Sequence, residues 1–410
     1  MTKIQFGIFV FLLCFLPLHA GAQSLDKQFA TWAQTDLKRA TKAAGISNRT
    51  FKRAMSGVQL DLKLPGLTLP GAKQKKQKQT QAEFRSPAKY FDEKRMQGLA
   101  SIGNSLLVKH QKTLQRIEQK YGVPAGIILA IWGRESGYGR ASIPHSVIRV
   151  LATRAFLSDR REFFQKELIA AMKIIQSGDV SAAKMKSSWA GAMGQPQFMP
   201  SSYLQFAVDF DGDGKRNIWS STPDALASIA NYLKQSGWQS NRDWGFEVSL
   251  PADANCAREG PDMAKPIKSW AQEGISRISG RPFPTLEMSQ AGMLILPAGI
   301  WGPEFIVTPN FYVIKKYNNS DNYALFIGNL ADRIGFGMGS FKTKWANQKV
   351  MYRSDIRKIQ QKLEMQGYDV GGADGLPGYK TRRSIGDWQQ KKRIKQTCFP
   401  SQNLLKKMGL

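Results

Sequence analysis

The chain has 410 residues, with 59 Lys plus Arg against 31 Asp plus Glu, a formal net charge of +28, and three cysteines. That length supports one large domain and a small one, with ample chain to bury a core. So few cysteines argue against a disulfide-knit scaffold, and so positive a surface places polyanions ahead of cationic partners.

The first 22 residues carry Lys3, an apolar run over residues 6–16, Pro17 and the small triplet Ala20-Gly21-Ala22. This reads as a secretory signal peptide, residues 1–22, cleaved after Ala22. The run is too short to cross a bilayer, which takes about 20 residues. Leu13 precedes Cys14 where a lipoprotein signal needs a small residue, which argues against a lipid anchor. An exported, soluble mature chain turns the positive charge away from nucleic acid. It points instead to an acidic cell-envelope polymer or an anionic envelope surface, unless the charge serves solubility alone. Beyond the leader only Cys256 and Cys398 remain, and their spacing leaves open whether they pair. His110 and His145 have no clustered Cys or His neighbours, which argues against a zinc site and a Ser-His-Asp triad.

Residues 25–55 read as charged helical segments. LPGLTLPG and KQKKQKQT, between residues 60 and 80, form an exposed connection or an arm over the main body. From 92 to 238 apolar residues recur at helical spacing, in 99–121, 127–132, 168–175 and 225–233. Within this stretch IILAIWGRESGYGR, residues 127–140, places Glu135 at the end of an apolar helix. Ile127, Ile128, Ile131 and Trp132 cluster on one face, and Glu135 follows on it. Burial there raises a carboxyl pKa, as a proton donor near neutral pH requires. The alternative is a structural ion pair with Arg134 or Arg140.

SSWAGAMGQPQFMPSS, ending at Ser202, is too irregular for a plain helix. Its glycines allow close backbone approach, and Ser188, Gln195 and Gln197 offer neutral hydrogen bonds suited to sugars. A tight helix–helix contact fits the pattern equally. Asp209, Asp211 and Asp213 alternate before Gly214, matching the first half of an EF-hand-type calcium loop. The twelfth position is Ser220 where a glutamate is expected, and Asp224, behind Thr222 and Pro223, supplies a closing carboxylate. A plain acidic turn is the alternative. Residues 244–250, 292–296 and 304–313 read as short strands, and 323–334 as a closing helix. After residues 335–340 the chain changes character. Ile356, Ile359 and Leu363, a glycine-rich turn at 371–375, then Ile385 and Trp388 mark a small helical module at 350–410, or a helical hairpin docked on the main domain.

RESGYGR, SSWAGAMGQPQFMPSSY, VDFDGDG and SIANYLKQSGW, in this order, resemble the lytic murein transglycosylase B family. The resemblance covers roughly residues 84–334. IQQKLEMQGYDVGGADGLPGYKTRRSIGDWQ resembles a three-helix peptidoglycan-binding domain. It implies a mainly α (α+β) fold: a lysozyme-like helical catalytic domain with a small β extension at 23–340, then a small three-helix domain at 350–410. It further implies cleavage of the MurNAc–GlcNAc bond of peptidoglycan, in the periplasm, with no catalytic cofactor.

Glu135 falls on the family's catalytic glutamate. Arg160 and Arg161 match a paired arginine near substrate, while Ser188, Gln197, Tyr232, Tyr317, Asn318 and Tyr323 match residues of the glycan cleft. Asp209, Asp211, Asp213 and Asp224 match its calcium-type loop, with two residues added around Ser220-Ser221. Gln195-Pro196 replaces an expected tyrosine and glycine. The implied reaction is a lytic transglycosylation, in which one glutamate acts as acid and then base and the muramic acid C6 hydroxyl closes a 1,6-anhydro ring. The rivals are a muramidase-type hydrolase on the same scaffold and a non-catalytic wall-binding protein.

Overall fold

The computed structural model describes residues 18–69, 87–346 and 351–410. The apolar leader run and the basic run at 73–78 lie outside them. The expected cleavage point after Ala22 falls within the first described helix, Leu18–Trp32. No described helix is long and apolar enough to cross a membrane. The chain divides into two compact units, one from Met1–Ala72, Ile143–Met193 and Phe198–Leu204, the other from Lys73–Ser142, Gly194–Gln197 and Gln205–Leu410.

In the first unit the helices Val147–Leu157 and Arg161–Ser177 pack against each other, and Asn48–Met55 packs on the second. Ser47 caps Asn48–Met55, its Oγ accepting from Thr50 N at 3.1 Å. The proline- and glycine-rich stretch after Leu60 lies as an arm along Val147–Leu157. Thr153 Oγ1 accepts from Asp61 N at 3.0 Å, Arg149 donates to the Leu60 carbonyl at 3.2 Å and Arg154 to the Pro65 carbonyl at 3.1 Å. Leu60 and Leu64 are buried beneath it. Side chains thus supply the hydrogen bonds that a segment without regular structure cannot make for itself.

The second unit is built around the helix Ala125–Ser136. Every residue from Ile127 to Gly133 is buried, so this helix is enclosed on all sides and not on the single face its spacing suggests. Glu93–Lys109, Gln111–Tyr121, Thr222–Gln235 and Asp321–Phe336 pack against it. A five-stranded antiparallel sheet joins this core, in the order Lys265–Pro266, Ala291–Ile295, Glu304–Val307, Gly245–Ser249 and Ser276–Arg277. Alternation divides its side chains. Met293, Ile295, Phe305 and Val307 enter the helical core, while Leu294, Ile306, Phe246 and Val248 face a second cluster with Ile267, Trp270 and Phe283. Cover on both faces explains why these strands read as continuous apolar runs. The third run ends early, because Thr308 caps a new helix, Pro309–Tyr317, and Pro309 occupies its first turn.

Arg353–Glu364, Tyr379–Lys391 and Gln402–Lys407 form a three-helix module around Ile359, Leu363, Ile385, Trp388 and Leu404. It belongs to the same compact unit as the sheet. Cys256 and Cys398 form a disulfide, with Cα atoms 6.0 Å apart, across 142 residues. The fold is mainly helical with a small sheet and a C-terminal helical module, as expected.

Candidate active site

Glu135 is the penultimate residue of Ala125–Ser136. Gly137, Tyr138 and Gly139 all take left-handed backbone, with φ of 56°, 63° and 77°, and turn the chain sharply away. Tyr138 is forced into a region disfavoured for side chains. Its ring stands edge-on to Trp132 at 5.4 Å and its hydroxyl donates to the Leu99 carbonyl at 2.7 Å, which holds it there. Ser136 Oγ accepts from Gly139 N at 3.0 Å and closes the turn. The helix end that carries the carboxyl is therefore rigid.

Tyr323 Oη donates to Glu135 Oε1 at 2.7 Å. Burial pushes the Glu135 pKa up, against the smaller downward pulls of the Tyr323 hydroxyl and Arg134. No second acid is among the groups that shift it. Arg134 turns aside: its guanidinium donates to Tyr90 Oη at 2.8 Å and lies over the Tyr90 and Phe326 rings. Among the described residues Glu135 forms no ion pair, so the structural ion-pair reading does not hold. Burial likewise raises the Tyr317 and Tyr323 phenols well above their usual range, so Tyr323 stays a donor.

A row of aromatic rings leads from the acid. Tyr323 stacks on Tyr317 at 6.5 Å, Tyr317 lies 4.7 Å from Tyr232, and Tyr232 meets Phe206 at 4.6 Å. Tyr317 donates to the Pro196 carbonyl at 2.7 Å and Tyr232 to the Lys316 carbonyl at 2.5 Å. Gln197, also in this unit, sits at φ 55° and bonds back to the Gly194 carbonyl at 2.8 Å. Gly194 cannot be replaced easily, because a Cβ there would meet the Ile218 carbonyl at 2.7 Å. Asn318 is exposed just past the helix Pro309–Tyr317.

Gln195 has a different place from the one its sequence context suggests. Its Oε1 accepts from Trp132 Nε1 at 2.8 Å and its Nε2 donates to the Trp219 carbonyl at 3.2 Å. It braces the helix Ala125–Ser136, and both ends of its amide have protein partners.

Arg160, Arg161 and Ser188 lie on the first unit. Both arginines are exposed, and the Arg160 guanidinium covers the Phe163 ring at 4.1 Å. Ser188 Oγ accepts from the Ala190 and Ala192 amides at 3.4 and 3.3 Å, shaping a tight loop that carries the exposed Trp189.

In the acidic loop Asp209, Asp211 and Asp213 bring carboxylate oxygens within 4.8 Å of one another. Asp224 stands apart from them. It is wholly buried, its Oδ1 accepting from Phe210 N at 2.7 Å and its Oδ2 from Asn217 N at 2.8 Å. Asp209 also braces the loop, its two oxygens accepting from Gly212 N at 2.7 Å and Gly214 N at 2.8 Å, but unlike Asp224 it stands with Asp211 and Asp213 in one carboxylate cluster. A hard-oxygen set of this kind fits a calcium ion.

A mostly helical, lysozyme-like fold with a half-buried glutamate at the end of its central helix defines the class of protein. The chain belongs to the transglycosylase SLT domain family, whose pattern it matches over residues 28–332, and residues 352–408 match a peptidoglycan binding domain. Membrane-bound lytic murein transglycosylase B of Escherichia coli strain K12 is 36% identical over 227 residues, 55% of this chain and 61% of that protein. The match thus spans less than two thirds of that relative's length. SltB3 from Pseudomonas aeruginosa, solved in complex with NAG-anhNAM-pentapeptide, is 40% identical, with a TM-score of 0.83 over 93% of this chain and 99% of that one. The Escherichia coli lytic transglycosylase Slt35, solved in complex with calcium, is 27% identical, with a TM-score of 0.58 over 74% of this chain and 93% of that one.

Proposed function

We propose that this protein is a lytic transglycosylase that cleaves the β-1,4 bond between N-acetylmuramic acid and N-acetylglucosamine in peptidoglycan, leaving 1,6-anhydro-muramic ends. The observation that carries the reading is Glu135 itself: a half-buried carboxyl with a raised pKa, hydrogen-bonded by one tyrosine and influenced by no second acid. Ordinary glycosidases use two carboxylates. Here one must serve twice.

Tyr323 donates to Oε1, which leaves Oε2 as the oxygen that carries the proton. Protonated Glu135 gives that proton to the glycosidic oxygen as the bond to C1 of the muramic acid breaks, and the substrate's acetamido group stabilises the developing positive charge. The Glu135 carboxylate then takes the proton of the C6 hydroxyl as that oxygen bonds to C1. No water enters. An internal nucleophile gains the advantage of intramolecularity and needs no further protein base. Arg160 and Arg161 suit peptide-stem carboxylates, and Ser188, Gln197 and Asn318 suit sugar hydroxyls and acetamido groups. Tyr232, Tyr317 and Tyr323 suit the apolar faces of sugar rings.

The division of labour is a leader at 1–22, a catalytic domain at 23–340 and a wall-binding domain at 350–410, acting in the periplasm. The basic surface holds the enzyme near the anionic wall, and the C-terminal module raises its local concentration there. A calcium ion held by Asp209, Asp211 and Asp213 stiffens the loop and takes no part in the chemistry. The test is digestion of purified peptidoglycan by the wild type and Glu135→Gln, followed by fragment masses. The reading requires anhydro ends from the wild type, and loss of cleavage with wall binding retained in the variant. Reducing ends would mean a hydrolase, and unchanged cleavage would displace Glu135.

A further inference from the structure

Residues 315–323 deliver Tyr317 and Tyr323 to the acid, and the C-terminal module grips the same segment. Lys315 Nζ donates to Asp321 Oδ1 at 2.7 Å, tying the segment across its own bend. Arg382, on the helix Tyr379–Lys391, donates from one terminal nitrogen to Asp321 Oδ2 at 2.9 Å. The same nitrogen reaches Glu259 Oε2 at 2.8 Å, and Arg382 Nε reaches Glu259 Oε1 at 2.9 Å. The other terminal nitrogen donates to the Pro377 carbonyl at 2.9 Å. Arg382 is 3% exposed and Glu259 wholly buried.

Attachment of the module does not need this arrangement. The disulfide Cys256–Cys398 already fastens the module to the segment beside Glu259, and Arg383 pairs with Asp262 at 2.7 Å. Glu259 alone would neutralise Arg382. A buried ion network is also a poor way to gain affinity, since apolar groups of similar volume usually hold at least as well. What the third member adds is location. Asp321 opens the helix Asp321–Phe336, capped by Ser320 Oγ accepting from Tyr323 N at 3.3 Å, and Tyr323 lies two residues further on.

We propose that Arg382 is a positioning residue of the active site: by holding Asp321 it fixes the start of the helix Asp321–Phe336 and sets the Tyr323 hydroxyl on Glu135. The wall-binding module then takes part in catalysis as well as attachment. This rests on Glu135 being the catalytic acid. Burial would raise the Asp321 carboxyl, yet Lys315 and Arg382 hold it below the usual range, so Asp321 stays charged across the working pH, whereas burial raises the Glu259 carboxyl against the pull of Arg382. The groups that bear on Glu135 and Tyr323 are Arg134, Tyr317 and Tyr90, and none of them belongs to the network.

The test uses the full chain with its disulfide intact and a soluble glycan fragment that does not depend on wall attachment. Arg382→Lys keeps the charge and loses the planar fork. Its kcat should fall roughly tenfold, as a displaced catalytic contact does. The upper limb of its kcat–pH profile should move to higher pH, because the Tyr323 hydrogen bond that lowers the Glu135 pKa is loosened. Binding to insoluble wall should be unchanged. Added to Tyr323→Phe, the same substitution should cost less than a further twofold, since both act on one contact. Should Arg382→Lys fail to fold, the pair Arg382→Met/Glu259→Gln removes the buried ion pair together and faces the same expectations. A wild-type kcat, or a fall in kcat with an unmoved limb and full additivity on Tyr323→Phe, overturns the proposal. If instead Glu135→Gln keeps full activity, it is the catalytic reading that has failed.

Discussion

Tyr323 donates its hydroxyl to Glu135 Oε1 at 2.7 Å, across 188 residues of sequence. In the proposed mechanism the bond distinguishes the two oxygens of a carboxyl that first loses a proton and then regains one. Tyr323→Phe removes it without emptying the space. The expected result is a roughly tenfold lower kcat on a soluble glycan. Its upper pH limb should rise, since burial then acts on Glu135 with only Arg134 opposing it. Stopped assays across pH would show both effects, and an unchanged limb would separate Tyr323 from the acid.

Asp332 gives a stability prediction of known sign. Burial raises its carboxyl to about 7, opposed by a hydrogen bond from Trp244 Nε1 at 3.1 Å and aided by Asp243. A carboxyl raised in the folded state contributes stability below its unfolded pKa and loses it as pH climbs through the folded value. Asp332→Asn, which still accepts from Trp244, should therefore match the wild type near pH 4 and exceed it by a few kcal/mol above pH 7. Denaturant midpoints at the two pH values measure the difference. Equal midpoints at high pH would contradict it.

The module's attachment can be weakened from outside the ion network. Reducing Cys256–Cys398, or replacing both by Ser, should cost about 2–5 kcal/mol, as loss of a native disulfide usually does. Melting curves with and without reductant give the value. The protein should remain folded, because Glu259 and Arg382 still join the module to the sheet.

For the acidic loop, calcium should raise the melting temperature and a chelator should lower it, since an ion that binds only the native state stabilises it. Asp211→Asn should abolish that response. Asp224→Asn should destabilise by about 1–3 kcal/mol with or without calcium, because it sets amide hydrogens against the loop amides that Asp224 now accepts.

These residues differ in how far they could be read from the chain. Asp209, Asp211 and Asp213 were legible because their relation is one of spacing within a single loop. Asp224 shares their spacing, but sequence cannot say that its oxygens face inward to the amides of Phe210 and Asn217. The helix bearing Glu135 was legible from its apolar residues, but its enclosure on every side depends on neighbours as distant as Asp321–Phe336. Tyr323 and Tyr317 came from family resemblance alone, since nothing local links them to Glu135. Arg382 has no local signature in the sequence. Its partners, Glu259 and Asp321, lie 123 and 61 residues away and carry ordinary charges that suggest a solvated surface. Gln195 marks the same limit, because only the folded chain puts its amide against Trp132.

The central claim, that one glutamate and an internal hydroxyl replace water, is tested most directly by digesting peptidoglycan in water enriched with heavy oxygen. The account predicts anhydro-ended fragments that carry no label, formed by the wild type and absent with Glu135→Gln. Labelled reducing ends, formed with the wild type in the first turnovers, would contradict it.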